Sequence, residues 1–303
     1  MRKKLALALA VGLSALALGL LTRFVAAKPY LRPCRLCVDL PALPPPEPEE
    51  GHEKLGPPKP GDWRFSYPEE PQTLEQYAAS DVNRRCPHRT TLYIQVLDSR
   101  PGRLALKPVC AAAYPKVVER MKEYLEAFFG MPVVLLPPVP IPEEAFVEER
   151  DQYDADAVTD RLALKVPADA VAYVGLTTED LFAPGLNYVF GVGSLGSRAG
   201  VYSMRRLQTD DLRLFLERAL KLVVHETGHI FSIHHCVTWR CVMQGANSAS
   251  EQDQQPLRLC PVDLRKLEWN VGGDRAARYE RLLRLHRDYG FADADWIEAR
   301  LKR

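Results

Sequence analysis

Apolar and polar positions along the chain follow two periods, which predict an ordered series of strands and helices. Short apolar runs rich in β-forming residues predict strands at 91–97, 131–136 and 170–176. Between the first two runs, apolar residues recur at helical spacing over 114–129, and Gly130 follows as a helix stop. Strand, helix and strand in this order are typical of a crossover unit, so we expect a sheet with helices packed on it.

The pattern in the second half of the chain changes from strands to a long helix. Two strands are predicted at 187–190 and 201–204, on either side of a glycine-rich bend. From Thr209, a suitable N-cap residue, apolar residues recur at helical spacing as far as His229. Beyond Cys260 the chain is mainly helical. Together these elements predict an α/β (α+β) fold, a mixed sheet with helices and a mainly helical C-terminal part.

The N-terminus departs from both periods. Basic residues at 2–4 precede an apolar run at 5–21 that has no polar face, and a small-residue site at 25–27 follows. This order is typical of a cleaved signal peptide, while the length of the run also suits a short membrane anchor. In either case we expect the rest of the chain to be exported, to the periplasm or outside the cell, or held at a membrane.

A proline-rich stretch separates the targeting segment from the remainder. Proline fixes its own backbone and disfavours helix before it, so residues 28–62 predict a semi-extended linker. The predicted organisation is a signal peptide or anchor at 1–27, this linker, and one domain at 63–303.

Composition narrows the function classes. The 303 residues include 40 Lys and Arg against 39 Asp and Glu, a net charge of +1. Broad electrostatic binding of nucleic acid needs a basic excess, so we expect no nucleic-acid partner. A hydrophobic content of 47% with 26% charged residues is ordinary for a globular protein and excludes a fibrous or multispan membrane protein.

Candidate chemistry lies at the end of the predicted long helix. Residues four apart share one helix face, so His225 and His229 can bind one metal ion with Glu226 beside them. Two imidazoles and an open position are typical of catalytic zinc, whose bound water Glu226 would deprotonate. His235 is the candidate third ligand. Because it lies too far along a continuous helix, the helix must break and turn near Ser232.

Three other interpretations of these residues remain open. The histidines could be a hydrogen-bonded core pair, or the third ligand could be a downstream carboxylate such as Glu251 or Glu268. A non-catalytic zinc-binding protein that captures peptides or a protein partner is the rival function. The intact Glu226 counts against it, because a binding module has no need of a general base there.

A longer motif carries a family resemblance. The chain resembles the archaemetzincins in His225-Glu226-x-x-His229-x-x-Ser232-x-x-His235-Cys236-x4-Cys241-x-Met243, followed by Cys260. Further segments with a similar sequence are Cys241-Val242-Met243-Gln244-Gly245, Leu259-Cys260-Pro261-Val262, Tyr188-Val189-Phe190-Gly191, Gly61-Asp62-Trp63 and Tyr67-Pro68. The resemblance extends over residues 61–290, most of the chain.

The resemblance implies a metzincin-like catalytic domain with a twisted mixed sheet and an active-site helix. It implies a zinc metallopeptidase acting on peptides or proteins, with aminopeptidase-like cleavage as one option. His225, His229 and His235 would bind catalytic zinc, Glu226 would be general base and acid, and Met243 would form the Met-turn beneath the ligands. The family also has a structural zinc held by four cysteines; the corresponding residues here are Cys236, Cys241, Cys260 and Asp263.

Two residues depart from the family pattern. Ser232 stands where the family has glycine, in a turn whose backbone conformation costs other residues about 1–2 kcal/mol. Asp263 replaces the last cysteine of the structural site. Since a carboxylate can bind zinc, either Asp263 completes a three-cysteine site, or the second zinc is weak or lost and Asp263 caps a helix at 264–269.

Two remaining patterns carry less specific chemistry. Four cysteines outside the motif would allow two disulfides in three pairings: Cys34, Cys37, Cys86 and Cys110. Gly191-x-Gly193-x-x-Gly196 matches a dinucleotide fingerprint, but a β-rich run follows it instead of a helix. We interpret it as a bend between strands along which a peptide substrate could lie.

Overall fold

A computed structural model describes residues 41–99 and 106–302. The helices are α1 (Trp63–Ser66), α2 (Leu74–Ala79), α3 (Pro108–Phe129), α4 (Ala155–Ala163), α5 (Leu212–Ile230), α6 (Ala249–Asp253), α7 (Pro261–Val271), α8 (Arg275–Tyr289) and α9 (Asp293–Leu301). The strands are β1 (Thr91–Asp98), β2 (Val133–Pro140), β3 (Phe146–Val147), β4 (Gln152–Asp154), β5 (Ala170–Thr177), β6 (Leu181–Phe182), β7 (Gly191–Gly193) and β8 (Ala199–Ser203). Two short 3-10 helices span Glu143–Ala145 and Glu148–Arg150.

The main sheet has the strand order β2-β1-β5-β8-β7. Its first four strands are parallel, whereas β7 runs antiparallel to β8 at one edge. A smaller sheet has the order β3-β4-β6. The predicted mixed sheet is confirmed, and so is the crossover unit, because α3 connects the parallel neighbours β1 and β2.

Helices cover both faces of the main sheet. On one face α3 and α5 pack together in the larger hydrophobic core, and on the other α4 packs over β5 and β8. Every residue of β5 is buried, as expected for a central parallel strand between two helical layers. The long helix α5 therefore lies directly against the sheet edge formed by β8 and β7.

Several predicted boundaries differ from the structure; α3, predicted over 114–129, begins at Pro108. β2 runs on through the prolines at 137 and 138, because it is an edge strand where missing N–H groups are tolerated. The strand predicted at 187–190 lies instead at Gly191–Gly193, within the glycine-rich stretch itself. The N-cap of α5 is Asp211 instead of Thr209, and its carboxylate accepts hydrogen bonds from the backbone N–H groups of Arg213 and Leu214.

Residues 41–62, which we call the N-terminal strap, lie along the C-terminal helices. The indole of Trp269 donates to the Pro41 carbonyl and that of Trp296 donates to the Gly51 carbonyl. The Leu55 N–H donates to the Thr238 carbonyl at 2.9 Å. The described part of the predicted linker is therefore held against the domain. The predicted targeting segment at 1–27 lies outside the described residues, among which no helix is long and apolar enough to cross a membrane.

Candidate metal centre and substrate cleft

The end of α5 places the first two histidines. His225, Glu226 and His229 occupy its last two turns, on a helix whose apolar face is buried against the sheet. The helix then closes with a left-handed cap. The Ile233 N–H donates to the Gly228 carbonyl, and the Ser232 N–H donates to the His229 carbonyl. This pair of backbone hydrogen bonds is the Schellman motif, which ends the helix and reverses the chain.

Ser232 occupies the left-handed position of that cap, with φ of 67°. This is the turn that the spacing of the third histidine requires, and it is formed without glycine. The Ser232 hydroxyl accepts a hydrogen bond from the Asn83 N–H at 3.1 Å and donates one to the Leu195 carbonyl at 3.3 Å. These two hydrogen bonds offset part of the cost of the conformation.

The turn brings His235 back to the other two histidines. One ring nitrogen from each of the three lies within 4.8 Å of the others, and His225 Nε2 and His229 Nε2 are 3.0 Å apart. In each ring the other nitrogen, Nδ1, faces an acceptor. His225 Nδ1 is 2.8 Å from the Val242 carbonyl, and His229 Nδ1 is 2.7 Å from the Ile233 carbonyl.

The third ring follows the same rule through a side chain. His235 Nδ1 lies 2.9 Å from both carboxylate oxygens of Glu69. Because carbonyls and carboxylates only accept hydrogen bonds, Nδ1 of each ring carries a proton, and the other ring nitrogen is left to face the shared centre. Three convergent imidazoles suit a metal cation and match the His₃ set of catalytic zinc.

Burial sets the electrostatics of this centre. It lowers the pKa of His225 to about 3 and that of His229 well below its ordinary value, so both imidazoles are neutral at physiological pH. Burial also raises the pKa of Glu226 to about 7, against the opposing effects of His235 and of a hydrogen bond from the Gly193 backbone. A carboxyl group with this pKa can exchange a proton near neutrality.

A cleft of about 430 Å³ opens over the three histidines. Its lining includes β7 with the preceding segment 186–190, and the side chains of Gln244, Gln252 and Gln255. Met243 is fully buried beneath the centre, packed so close to α5 that a Cβ added at Gly228 would lie 2.5 Å from its sulfur. This is the place predicted for the Met-turn.

A second cluster adjoins the first along the chain. Three thiols and one carboxylate, all buried, have potential ligand atoms within 4.8 Å of one another: Cys236, Cys241, Cys260 and Asp263. Asp263 Oδ2 is 3.3 Å from the sulfurs of both Cys241 and Cys260. Backbone N–H groups of Met243 and Cys260 point at the Cys241 sulfur, as expected around a thiolate ligand. This donor set suits zinc.

The structure tests the predicted helix-capping role of Asp263. The helix α7 begins at Pro261, and its N-cap is Cys260, whose sulfur accepts from the Asp263 N–H. Asp263 therefore lies inside the first turn, and the predicted helix-capping role is wrong. Its second oxygen, Oδ1, forms a buried ion pair with Lys266 at 2.8 Å, which leaves Oδ2 directed at the sulfurs.

Other predicted candidates lie elsewhere. The Glu251 carboxylate accepts from the N–H groups of Trp63 and Asn247, and Glu268 pairs with Arg275, so neither carboxylate joins the histidines. Cys86 and Cys110 do not form a disulfide with each other. The other two cysteines of the predicted framework, at 34 and 37, lie outside the described residues.

Some residues of the site carry no signal in the sequence. Glu69 contacts His235 from 166 positions away, and Lys266 neutralises charge in the cysteine cluster. Trp63 stacks edge-on against His235 with ring centroids 5.3 Å apart. The sequence around Trp63 is part of the family resemblance, but nothing in its position along the chain predicts a contact with the metal centre.

Comparisons with known proteins agree with this geometry. The model of peptidase family M54 matches residues 112–269. Archaemetzincin-2 of Homo sapiens is 33% identical over 266 residues, covering 74% of this chain and 72% of that protein. Archaemetzincin of Methanopyrus kandleri is 39% identical over 145 residues, covering 48% of this chain and 82% of that protein. Its crystal structure superposes with a TM-score of 0.52 at 32% identity, over 62% of this chain and 98% of that one.

The fold and the three-histidine centre, taken with these relatives, define a zinc metallopeptidase. The chain belongs to peptidase family M54, the archaemetzincins. The predicted family, fold class and enzyme class are thus confirmed, and its substrates are peptides or proteins. The rival function, a non-catalytic zinc-binding protein, has no support among the relatives.

Proposed function

We propose that His225, His229 and His235 hold the catalytic zinc and that Glu226 is the general base and acid of peptide hydrolysis. The observation that carries this proposal is the convergence of one ring nitrogen from each of three histidines, while Nδ1 of each ring faces an acceptor. Zinc bound there would supply Lewis-acid activation of water and of the scissile carbonyl.

The protein's own part of the chemistry lies with Glu226. This residue is 8% exposed and lines the cleft next to the histidines, and its carboxyl group is hydrogen-bonded by the backbone of Gly193. With a pKa of about 7 it would accept a proton from the attacking water and return it to the leaving amine.

Strand β7 would position the substrate. It is one of the two edge strands of the main sheet, it lines the cleft, and a Cβ at Gly193 would lie 2.2 Å from the Glu226 carbonyl oxygen. An extended peptide added at this edge would therefore pass directly over Glu226.

Cleavage of a mixed peptide library by the parent, beside Glu226→Gln, tests the assignment. We expect the substitution to reduce the rate by at least about 10²-fold, because it removes the proton acceptor. Metal content should not change, since Glu226 is not a proposed ligand. Comparable cleavage by both proteins would contradict the role of Glu226.

The termini of the products separate two modes of cleavage. Aminopeptidase-like action requires recognition of a free α-amino group, yet Glu226 is the only carboxylate among the described residues lining the cleft. This favours cleavage within chains. Products shortened by one residue at a time from the N-terminus would instead establish aminopeptidase action.

We also propose a second zinc site formed by Cys236, Cys241, Cys260 and Asp263. Because Cys236 directly follows His235, and Cys241 lies two positions before Met243, zinc here would fix the loop that carries the third histidine. Asp263→Ala should lower the zinc content by up to one ion per chain. An unchanged zinc content would remove Asp263 from the ligand set.

Export remains a proposal that rests on the sequence of residues 1–27 alone. N-terminal sequencing of the protein recovered from a membrane fraction and from the exported fraction tests it. A start near residue 28 in the exported fraction would support a cleaved signal peptide, and Met1 in the membrane fraction would support an anchor. Recovery of the intact chain only from the cytoplasm would contradict both.

A further inference from the structure

We propose that Glu69 is a positioning residue of the metal centre and that the segment Trp63–Tyr77 is part of the catalytic unit. The proposal rests on the ligand set proposed above. The segment lies outside the residues that match the family model, which begin at 112.

Glu69 fixes the ring of His235. Its two carboxylate oxygens both lie 2.9 Å from Nδ1, and the Trp63 indole N–H lies 3.4 Å from one of them. The other two histidines are fixed by backbone carbonyls close to α5, but His235 depends on a side chain from a distant segment. A carboxylate in this place selects the tautomer, orients the ring and makes Nε2 a stronger donor to a metal ion.

The same segment also clamps the turn that carries His235. The Gln72 amide donates to the Ser232 carbonyl at 3.2 Å and accepts from the His234 N–H at 3.2 Å. The Tyr77 hydroxyl donates to the Phe231 carbonyl at 2.7 Å. The left-handed backbone conformation of Ser232 in this turn is costly. The hydrogen bonds from Gln72 and Tyr77 offset part of that cost.

The segment Trp63–Tyr77 also packs against the chain around Met243. A Cβ added at Gly245 would lie 2.3 Å from the Trp63 ring, so the indole rests directly on the chain just after Met243. The backbone N–H of Trp63 donates to the Glu251 carboxylate at 2.8 Å, which anchors the segment at a second point. Glu69 is thus presented to His235 from a fixed support.

Metal titration of the full chain tests the inference without relying on activity. Cobalt(II) distinguishes the two centres, because only a thiolate site gives intense charge-transfer absorption, whereas each centre gives ligand-field bands of its own. We expect Glu69→Ala to weaken metal binding at the histidine centre about 10–100-fold, with the thiolate absorption unchanged. Glu69→Gln retains one acceptor oxygen and should lose less.

Two controls make the result decisive. Glu70→Gln changes the neighbouring exposed carboxylate and should match the parent. His235→Ala should abolish the ligand-field bands of the histidine centre and leave those of the thiolate site; if the former persist, the proposed ligand set is wrong. If His235→Ala abolishes them while Glu69→Ala and Glu69→Gln both bind metal like the parent, the positioning role of Glu69 is overturned. Should Glu69→Ala lose the thiolate absorption as well, its fold is disturbed, and the isosteric Glu69→Gln decides.

Discussion

At the scale of single residues, two side chains occupy positions that their chemistry makes costly. Ser232 adopts a left-handed backbone where glycine would be unstrained, and His286 is fully buried in the larger core beside the Tyr124 hydroxyl. In both cases a hydrogen bond offsets only part of the cost. A substitution or pH change that alters the strain, the hydrogen bond or the charge at either residue should therefore change the free energy of unfolding measurably.

Substitution of Ser232 separates strain from hydrogen bonding. Ser232→Ala keeps the left-handed conformation and loses both hydroxyl hydrogen bonds, so we expect a loss of about 1–2 kcal/mol in the free energy of unfolding. Ser232→Gly loses the same bonds but relieves the strain, so it should be the more stable variant by about 1 kcal/mol. Urea unfolding of both variants measures the difference. An alanine variant as stable as the glycine variant would show that the turn stores no strain.

His286 predicts a pH dependence of stability. Burial lowers its pKa to about 4, below the value of about 6.5 expected in the unfolded chain. The unfolded state therefore binds the extra proton between these two pH values, and stability falls as the pH drops from 6.5 towards 4. From pH 7 to pH 5 this residue should cost about 2 kcal/mol.

The measurement compares the parent with His286→Gln, which cannot titrate, by urea unfolding at both pH values. Contributions from the other histidines are common to the two proteins and cancel. The parent should lose about 2 kcal/mol more than the variant on acidification. Equal losses would mean that His286 has no lowered pKa in the folded state.

At the scale of elements, the close approach of β7 to α5 governs the site. A strand of small residues is necessary there, because a side chain at Gly193 would collide with the helix backbone at Glu226. This contact places the edge strand, the base and the second histidine in one rigid unit. It also explains why the sequence contains two glycines, Gly191 and Gly193, in a strand, where glycine is usually unfavourable.

Gly193→Ala should therefore separate β7 from α5. We expect a loss of about 1–3 kcal/mol in the free energy of unfolding from overpacking, together with at least about tenfold slower peptide cleavage. Gly56→Ala is the matched control, since a Cβ there meets nothing within 4 Å. Thermal unfolding and the library assay measure both effects. Normal cleavage by Gly193→Ala would show that the approach of the two elements is not needed for activity.

Periodicity predicted the elements whose pattern is local. The strands at β1 and β5 and the body of α5 are confirmed because apolar spacing alone specifies them. The structure also brings together the three histidines that the spacing singled out, and their role as ligands stays a prediction. The turn at Ser232 was predictable because His235 cannot reach the metal position from a straight helix.

The remainder depends on long-range context. The glycines of β7 have low β propensity, and pairing with β8 overrides it. Pro261 suits the first helical position, which moves the cap of α7 to Cys260 and leaves Asp263 free to face the thiols. Glu69 belongs to the site only through the tertiary fold, so no pattern along the sequence distinguishes it from Glu70.

At the scale of the whole molecule, the N-terminal strap joins the two ends of the described chain. Glu47 is 6% exposed and pairs with Arg275 at 2.6 Å, and Arg300 lies 3.8 Å from its other oxygen. The guanidinium of Arg265 binds the Pro44 carbonyl at 2.9 Å. The strap thus neutralises cationic side chains on the C-terminal helices, and those helices in turn hold it in place.

Removal of the Glu47 charge should loosen this arrangement. Glu47→Gln leaves Arg300 buried without its counter-charge, and we expect a loss of about 2–4 kcal/mol in the free energy of unfolding. The control Glu49→Gln breaks an exposed pair with Lys54 and should cost less than about 1 kcal/mol. Urea unfolding measures both. Equal, small losses would show that the strap contributes little to stability.

The distance along the chain between Glu69 and His235 has a consequence for the order of events during synthesis. These residues are 166 positions apart, and the strap contacts the C-terminal helices across as many as 252 positions. The N-terminal strap and the segment Trp63–Tyr77 emerge from the ribosome first. The residues that they contact emerge much later, and loops of this length close slowly. A nascent chain therefore cannot complete the proposed metal centre, and so cannot cleave peptides, before residue 235 has emerged from the ribosome.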